Sequence, residues 1–304
     1  MMQSQLTRYM DQVRGTFNVD ELLRQRVDDR LIVGYYKQSD YGYRKYHSPE
    51  GAVHMALNLN GEDDKDAYYG QARIVQRHID ELRPARVLEL ASGKGFNTLY
   101  LAKRNPEIQF TGIDLTPTYV ATAQAEARGL PNLSFRVGDF HHLDLEPGAY
   151  GVAFAVESLC HATDLPRALS EAREVLSPGG RLIVIDAFRG NGFADLDPEM
   201  QTAARLVEAS MAVEGARTLG DWLNVACNLG FEVRGVEDLS QAIRPNLLKH
   251  QQIAQRFFNR SRPRRMFYRF MKPLLTRNAI AGLLVPLTVE AGAHVYSSVV
   301  LGKP

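Results

Sequence analysis

The stretch VLELASGKGFNTLYLA, residues 87–102, decides which fold this chain is expected to adopt. Val87, Leu88 and Leu90 have the apolar pattern of a buried strand. Gly93 and Gly95 follow, and the apolar residues beyond them recur at a spacing that suits a helix. Glycines between a strand and a helix let backbone amides approach a ligand closely. The stretch therefore predicts a strand, a ligand-binding loop and a helix in succession.

Similar strands, separated mostly by helical patterns, follow along the chain. After RVLELAS, the predicted strands are IQFTGIDL, LSFRVGDF, GVAFAVES and RLIVIDAF. Such apolar runs are typical of a parallel sheet that helices cover on both faces. FEVRGVEDLS and AHVYSSVVLGKP add two strands without a regular crossover between them, which favours an antiparallel pair at the sheet edge. We expect an α/β fold with a Rossmann-like, seven-stranded, mostly parallel sheet, an antiparallel terminal hairpin, a helical N-terminal cap and helical insertions.

The predicted domain organisation has a core and two helical additions. Residues 1–80 are expected to form a helical N-terminal cap or lid. The core is expected over 81–240, with a helical insertion at about 189–218. Residues 241–289 are predicted to be a basic and aromatic helical lid insertion, and 290–304 the final strand of the core sheet.

Length and composition narrow the class of protein. The chain has 304 residues, of which 45% are hydrophobic and 23% charged, as in ordinary globular proteins. It contains no run of about 18 apolar residues that would span a membrane, and its first residues lack the apolar core of a signal peptide. Cys160 and Cys227 are too few for a disulfide scaffold or, alone, for a zinc site. We therefore expect a cytoplasmic protein without a metal.

Acidic residues accompany four of the predicted strands: Glu89, Asp114, Asp139 and Glu157. Because ligands of open parallel sheets bind at the carboxyl ends of the strands, these side chains are expected to line one rim. Carboxylates accept hydrogen bonds from ribose hydroxyls and amino groups, and they would repel a pyrophosphate. The rim therefore favours a ligand with a ribose, an exocyclic amine and an α-amino group.

Two common nucleotide-binding motifs are missing from the sequence. The dinucleotide fingerprint G-x-G-x-x-G needs a third glycine where this chain has Thr98. The phosphate-binding pattern G-x-x-x-x-G-K-[ST] does not occur either. The first observation disfavours a nicotinamide or flavin dehydrogenase, and the second disfavours a phosphate-binding loop of the P-loop type.

These segments together resemble the class I S-adenosylmethionine-dependent methyltransferases. VLELASGKG is similar to their first motif, GIDLTP to the acidic end of their second strand, and VGDF to their adenine-side motif. ALSEAREVLSPGGRLIVID is similar to their helix, turn and fifth strand. Ala91 departs from the family, where glycine is usual, and should make the approach of the loop tighter. Lys94 is also uncommon at its position and is a candidate to reach the cofactor carboxylate.

The resemblance implies S-adenosyl-L-methionine as the cofactor and assigns roles to individual residues. Asp114 is expected to hold the ribose hydroxyls, with Leu115 packing on adenine. Asp139 is expected to accept from the adenine amine, and Glu89 to orient the loop and the methionine amino group. The full predicted cofactor-binding set is Glu89, Ala91, Gly93, Gly95, Asn97, Asp114, Leu115, Asp139, Phe140 and Glu157.

The segment ESLCHATD, residues 157–164, resembles the branch that includes sterol, tocopherol and isoprenoid C-methyltransferases and lipid O-methyltransferases. The resemblance implies that Glu157 and His161 face the acceptor, and His54 is a further catalytic candidate. A hydroxyl acceptor would need a base such as His161 or His54. An alkene acceptor would need Glu157 and tyrosine rings to stabilise a carbocation, and a carboxylate acceptor would need no base. The sequence leaves these alternatives open, including a purely hydrogen-bonding role for His161.

Tyrosines are concentrated in the segment VGYYKQSDYGYRKYHSPEGAVHMAL, residues 33–57. In the resembling families such a segment closes over the cofactor and contributes to the acceptor pocket. The predicted substrate-binding residues are therefore Tyr35, Tyr36, Tyr46 and His161. The alternative is that the tyrosines only pack the cap against the core.

Charge is distributed unevenly along the chain. Residues 241–289 hold ten Lys and Arg and no acid, which leaves 26 basic and 35 acidic residues elsewhere. Within it, RFFNRSRPRRMFYRFMKPLL interleaves arginines with aromatic residues. Three interpretations stay open: peripheral membrane contact through 256–272, a lid whose arginines bind a substrate phosphate, or a lid with a solvated basic face. Nucleic acid is disfavoured because the remainder of the chain is acidic.

The sequence as a whole predicts methyl transfer from S-adenosylmethionine to a lipophilic small molecule, such as an isoprenoid, sterol-like, quinone or acyl compound. Two alternatives remain open. One is methylation of a polar, phosphorylated or glycosylated natural product, and the other is a cofactor-binding scaffold without catalysis. The sequence does not predict the oligomeric state.

Overall fold

A computed structural model describes residues 2–48, 51–59 and 66–304. At its centre is a sheet of seven strands in the order β3-β2-β1-β4-β5-β7-β6. The strands are β1 Arg86–Leu90, β2 Gln109–Asp114, β3 Leu133–Val137, β4 Tyr150–Val156, β5 Leu176–Arg189, β6 Glu232–Asp238 and β7 His294–Gly302. The pairs among β1 to β5 are all parallel, whereas β7 lies between β5 and β6 and is antiparallel to both. The predicted fold class is confirmed.

Twelve α-helices cover the faces and one end of this sheet in the described part of the chain. They are α1 Met2–Arg14, α2 Val19–Arg24, α3 Asp29–Gly42, α4 Gly70–Leu82, α5 Phe96–Arg104, α6 Pro117–Glu126, α7 Leu165–Val175, α8 Pro198–Ser210, α9 Leu219–Asn228, α10 Arg244–Phe258, α11 Arg262–Met271 and α12 Pro273–Glu290. The central strands are buried on both faces, which explains why they read as continuous apolar runs.

The helices outside the sheet share one hydrophobic cluster. It joins the N-terminal helices α1 and α2 to α8, α10 and α12, through residues such as Leu6, Met10, Leu206, Leu283 and Leu284. Three segments that are far apart in sequence therefore form one helical cap, because each has a single apolar face that must be buried against another.

Helix α4 packs differently from the other N-terminal helices. Its Ile74, Val75 and Ile79 lie in the same cluster as Val87 of β1 and Phe110 of β2. The boundary predicted near residue 80 thus falls after a helix that packs with the sheet.

Candidate functional site

A cleft lies at the carboxyl ends of the parallel strands, under helix α3. Its lining includes nine residues that the sequence predicts for the site: Tyr36, Ala91, Gly93, Asp114, Leu115, Asp139, Phe140, Glu157 and His161. Six other predicted residues lie outside the lining in the described structure: Tyr35, Tyr46, His54, Glu89, Gly95 and Asn97. The cleft therefore brings together most of the predicted cofactor set and only part of the predicted acceptor set.

The loop after β1 has left-handed backbone at three positions. Gly93 and Gly95 have φ values of 56° and 82°, and Ala91 has a φ of 54°. A side chain costs roughly 1–2 kcal/mol in this region, so Ala91 is strained where the resembling family has glycine. A Cβ on Gly95 would lie 2.5 Å from Cζ of Phe135. Gly95 is thus needed for close packing of the loop, whereas Gly93 lies in the cleft wall.

Glu89 is buried beneath the loop and fastens it to α5. Its Oε1 accepts from Nδ2 of Asn97 at 3.2 Å, and its Oε2 accepts from the backbone N–H of Thr98 at 3.2 Å and from the Thr98 hydroxyl. Burial raises the pKa of Glu89 to about 8. The predicted role in orienting the loop agrees with these contacts, and they place Asn97 beside Glu89 rather than in the cleft wall.

Asp114 ends β2 and holds the loop from the opposite side. Its Oδ2 accepts from the backbone N–H of Gly93 and its Oδ1 from that of Thr116, both at 2.8 Å. Burial raises the pKa of this carboxyl. A carboxylate has about four acceptor positions, so two bonds leave capacity for further donors from the cleft.

Asp139 and its neighbours form the wall beyond β3. Oδ1 of Asp139 accepts from the backbone N–H of His141 and lies 2.8 Å from Nδ1 of the same residue. The ring of Phe140 lies 4.7 Å from that of His141, centroid to centroid. His141 also lines the cleft and was missed by the sequence analysis. Its position two residues after Asp139, in the motif-bearing loop, is the signal that could have found it.

Glu157 stands at the end of β4 in a strained conformation, with a φ of 45°. Its Oε1 accepts from the backbone N–H of Met55 at 2.7 Å and from the hydroxyl of Tyr296 at 2.8 Å. Burial raises the pKa of Glu157 to about 7. The side chain therefore connects the N-terminal segment to β7 while it lines the cleft.

The pKa of Glu157 predicts a pH-dependent stability. As pH rises from 4.5 towards about 7, the unfolded chain loses this proton while the folded chain keeps it, so folding stability falls. We expect Glu157→Gln, which keeps an acceptor for Met55 and Tyr296, to flatten that part of the stability curve. Urea unfolding across this pH window measures the difference from wild type. Glu107→Gln, at an exposed site, should leave the slope unchanged, and an unaltered slope in Glu157→Gln would disprove the assignment.

His161 is held in one tautomer. Its Nδ1 lies 3.0 Å from the carbonyl oxygen of Ala212, which accepts only, so Nδ1 carries the proton. Nε2 then has a lone pair, and the hydroxyl of Tyr36 donates to it at 2.9 Å. Burial lowers the pKa of His161, so the ring is neutral at physiological pH. Tyr36 and His161 therefore form a hydrogen-bonded pair in the cleft wall.

Asp186, inside β5, supports the segment that carries His161, and the sequence analysis missed it. Its Oδ2 accepts from the backbone N–H groups of Ser158 and Cys160, at 3.1 and 3.0 Å. Burial raises its pKa to about 6. A lone acid in the apolar run RLIVIDAF is the signal that could have found it.

The three remaining acceptor candidates lie elsewhere. His54 is buried, and its Nδ1 donates to the carbonyl oxygen of Met55 at 3.1 Å, while burial lowers its pKa to about 4. Tyr35 donates to Oδ1 of Asn278 at 2.6 Å and so fastens α3 to α12. Tyr46 is 42% exposed, beneath the ammonium group of Lys45. None of these three side chains is among the described residues that line the cleft.

Lys94, the candidate for the cofactor carboxylate, makes a different contact. It forms an ion pair with Asp40 of α3 and its Nζ lies 5.0 Å from the ring centroid of Tyr119. Both charged side chains are mostly buried. The structure therefore places Lys94 as a link between the glycine loop and the helix that covers the cleft.

Comparison with known proteins relates the core to one enzyme family. Residues 88–184 match the family model described as a methyltransferase domain. A demethylmenaquinone methyltransferase of Thermus thermophilus is 37% identical over 108 residues, covering 35% of this chain and 49% of that protein. A trans-aconitate 2-methyltransferase of Deinococcus radiodurans is 37% identical over 120 residues, covering 40% of this chain and 45% of that protein. The chain thus spans about half the length of these curated relatives.

A solved structure supports the fold over almost the whole chain. The crystal structure of the [4+2]-cyclase SpnF has a TM-score of 0.71 and 21% sequence identity, and the match covers 92% of this chain and 99% of that one. At this identity the likeness shows a shared fold alone. The sequence match and the geometry of the strand ends agree with the relationship predicted from the motifs. Residues 88–184 of this chain therefore match a methyltransferase domain, over the part of the sequence that holds the glycine loop and the strand-end acids.

Proposed function

We propose that this protein transfers a methyl group from S-adenosyl-L-methionine to a lipophilic small molecule, by in-line displacement. The observation that carries the proposal is a single cleft that combines the Asp114 carboxylate with an uncharged His161. The first suits a ribose, and the second suits an acceptor that loses a proton.

The residues of the cleft fit the cofactor. Asp114 keeps acceptor capacity for ribose hydroxyls after its two backbone bonds, and Asp139 keeps capacity for the adenine amine. The hydroxyl of Ser158, in the cleft wall, is buried without a hydrogen-bond partner in the described structure. A buried hydroxyl of this kind is costly unless a ligand satisfies it. The proposed cofactor set also includes Ala91, Gly93, Leu115, Phe140 and Glu157, with Glu89, Gly95 and Asn97 supporting the loop.

The bound cofactor would supply an electrophilic methyl group on a sulfonium, which is already a good leaving group. The chain's own residues then need to place the acceptor in line and exclude water. Helix α3 covers the cleft and is held by the Lys94–Asp40 ion pair and by the Tyr35–Asn278 hydrogen bond. These contacts suit the closing function proposed for the N-terminal segment.

Apolar side chains in the cleft wall support a lipophilic acceptor. Ile32, Val53 and Val156 contribute to the lining beside Tyr36. The curated relatives do not decide the matter, since one is named for a quinone and the other for the polar trans-aconitate. The proposal of a lipophilic acceptor, whether an isoprenoid, sterol-like, quinone or acyl compound, therefore rests on the apolar lining of the cleft alone.

His161 favours a hydroxyl among the three acceptor types. Its Nε2 lone pair accepts from the Tyr36 hydroxyl and is suited to accept instead from an acceptor hydroxyl that takes that place. An alkene acceptor would call for a negative charge near the developing cation, and Glu157, whose pKa burial raises to about 7, carries that charge only in part at neutral pH. We propose His161 as the general base, with Tyr36 as its partner in the acceptor pocket.

The polar-acceptor alternative depended on arginines that grip an anion. Arg265 donates to the carbonyl oxygens of Phe258 and Arg260, and neither Arg264 nor Arg265 is among the described residues that line the cleft. The geometry therefore favours the lipophilic acceptor. Because such compounds partition into bilayers, we place peripheral membrane contact of residues 256–272 in the same proposal, for a protein that is otherwise cytoplasmic.

The test is transfer of label from methyl-labelled S-adenosylmethionine into extracts of the source cells. We expect label in the organic phase, and we expect His161→Gln to lower the rate about 10²–10⁴-fold with unchanged cofactor affinity, because glutamine cannot take the proton. Label in a new water-soluble product would instead establish the polar acceptor. Cofactor binding without transfer would favour the scaffold, and an unchanged rate in His161→Gln would remove its role as base.

A further inference from the structure

Helix α11 stands apart from the rest of the helical cap in its exposure. None of its residues is buried, although half of them are apolar or aromatic. Phe270 is 85% exposed, Phe267 61%, Met271 58% and Met266 49%. Monomeric proteins seldom leave so many large apolar side chains together in water, and such patches mark interaction surfaces.

The apolar residues of α11 share one face. Met266 and Phe270 are four residues apart, as are Phe267 and Met271, and such pairs are neighbours on a helix surface. Arg265 and Arg269, also four residues apart, occupy the other side. The helix is therefore divided into an apolar face and a basic face.

Contacts with the cap decide which face points outward. Nη1 of Arg269 donates to the carbonyl oxygen of Thr16 at 2.6 Å, and Nη1 of Arg265 donates to that of Phe258 at 2.8 Å. The guanidinium of Arg260 lies 4.6 Å from the ring centroid of Tyr268. The protein thus holds the basic side of α11, and the apolar face is presented to the surroundings.

The charge around this face indicates what it contacts. Arg262 and Arg264 are exposed at the start of α11, and residues 241–289 contain no acid. An apolar face bordered by cations is the pattern of helices that lie in the interface of an anionic bilayer. No helix in the described ranges is long and apolar enough to cross a membrane, so contact would be confined to the surface.

We propose that α11 is an interfacial helix that inserts the face of Met266, Phe267, Phe270 and Met271 into an anionic lipid bilayer, with Arg262 and Arg264 on the headgroups. Helix α12 continues from α11, and the backbone N–H of Leu274 donates to Oε1 of Gln38 in α3, the helix that carries Tyr36. Docking of α11 would therefore hold the cleft wall near the bilayer. The inference rests on the proposed function only in the lipophilic acceptor that the bilayer would supply.

The test is flotation of the full chain with vesicles of phosphatidylcholine alone or mixed in equal amounts with phosphatidylserine. We expect binding to the mixed vesicles and loss of at least about tenfold in affinity for Phe267→Ser/Phe270→Ser, since both rings leave the bilayer. Arg262→Gln/Arg264→Gln should weaken binding about 30-fold and only on the anionic vesicles. The control is Val233→Ser/Val236→Ser, which removes two exposed apolar side chains of β6, 41% and 44% exposed, and should bind as wild type does.

The other outcomes either overturn this proposal or separate it from the proposed function. Equal binding by the Phe267→Ser/Phe270→Ser variant, or equal binding to both vesicle types, would overturn it. Binding of a DNA or RNA duplex in place of vesicles would assign the arginines to nucleic acid. Vesicle binding without methyl transfer would defeat the proposed function and leave α11 as a membrane contact. Methyl transfer into the organic phase without vesicle binding would support the proposed function and overturn the proposal for α11.

Discussion

Replacing Asp114 with alanine is expected to weaken binding of S-adenosylmethionine about 100-fold or more. The change removes the carboxylate that would hold the ribose, and hydrogen bonds to a charged group contribute about 1.5–3 kcal/mol each. It also leaves the backbone N–H of Gly93 without its acceptor, so the loop itself loses support. Isothermal titration calorimetry of the folded variant measures the loss.

The control for this prediction is Asp144→Ala. Asp144 is an exposed acid in the loop that follows β3, so its removal changes the charge of the protein by the same amount without touching the cleft wall. We expect wild-type affinity from this control. An Asp114→Ala protein that unfolds at the wild-type temperature and binds the cofactor as tightly as wild type would show that the assignment of Asp114 is wrong.

Replacing Gly95 with alanine is expected to lower the free energy of unfolding by about 2–5 kcal/mol, as the sum of two costs. The φ of 82° places a side chain in the left-handed region. The added Cβ would also lie 2.5 Å from Cζ of Phe135 and 3.2 Å from Cβ of Ala123, inside a small hydrophobic cluster. Urea unfolding of the two proteins checks the size of the effect.

Gly129 separates these two costs. Its φ is 86°, and no heavy atom lies within 4 Å of the position that a Cβ would take. Gly129→Ala should therefore show the backbone cost alone, about 1–2 kcal/mol. Adding Phe135→Leu to Gly95→Ala should recover part of the stability if crowding is the larger cause. Equal losses in both alanine variants would mean that Phe135 does not limit the loop.

The positions of the cofactor residues followed from short stretches of sequence. Asp114 is the last residue of the buried run in β2, and Gly93 follows the buried run of β1. Both residues therefore lie at the carboxyl ends of parallel strands. His141 and Asp186 show the limit of this reasoning. His141 is placed by a hydrogen bond to Asp139, and Asp186 by hydrogen bonds from backbone N–H groups in the segment after β4. The apolar pattern of a strand contains no information about either contact.

The helical cap shows a second limit. Helices α1, α8 and α12 each have an apolar face in the sequence. The sequence of each helix does not indicate that these faces pack against one another. The same holds for α11, whose aromatic and basic residues are equally consistent with a packed lid. Only the bonds of Arg265 and Arg269 to cap carbonyls turn its basic side inward.

From the sequence alone, strand periodicity, the glycine loop and the acids at strand ends were enough to predict the sheet and the cofactor rim. Those features are local, because each strand carries its own burial pattern and its own terminal residue. The acceptor side was decided by tertiary packing: Tyr36 reaches His161, while Tyr35, one residue earlier, is bound to Asn278 of α12. Successive helical residues point about 100° apart, so the docking of α3 against α12, rather than composition, selects which tyrosine enters the cleft.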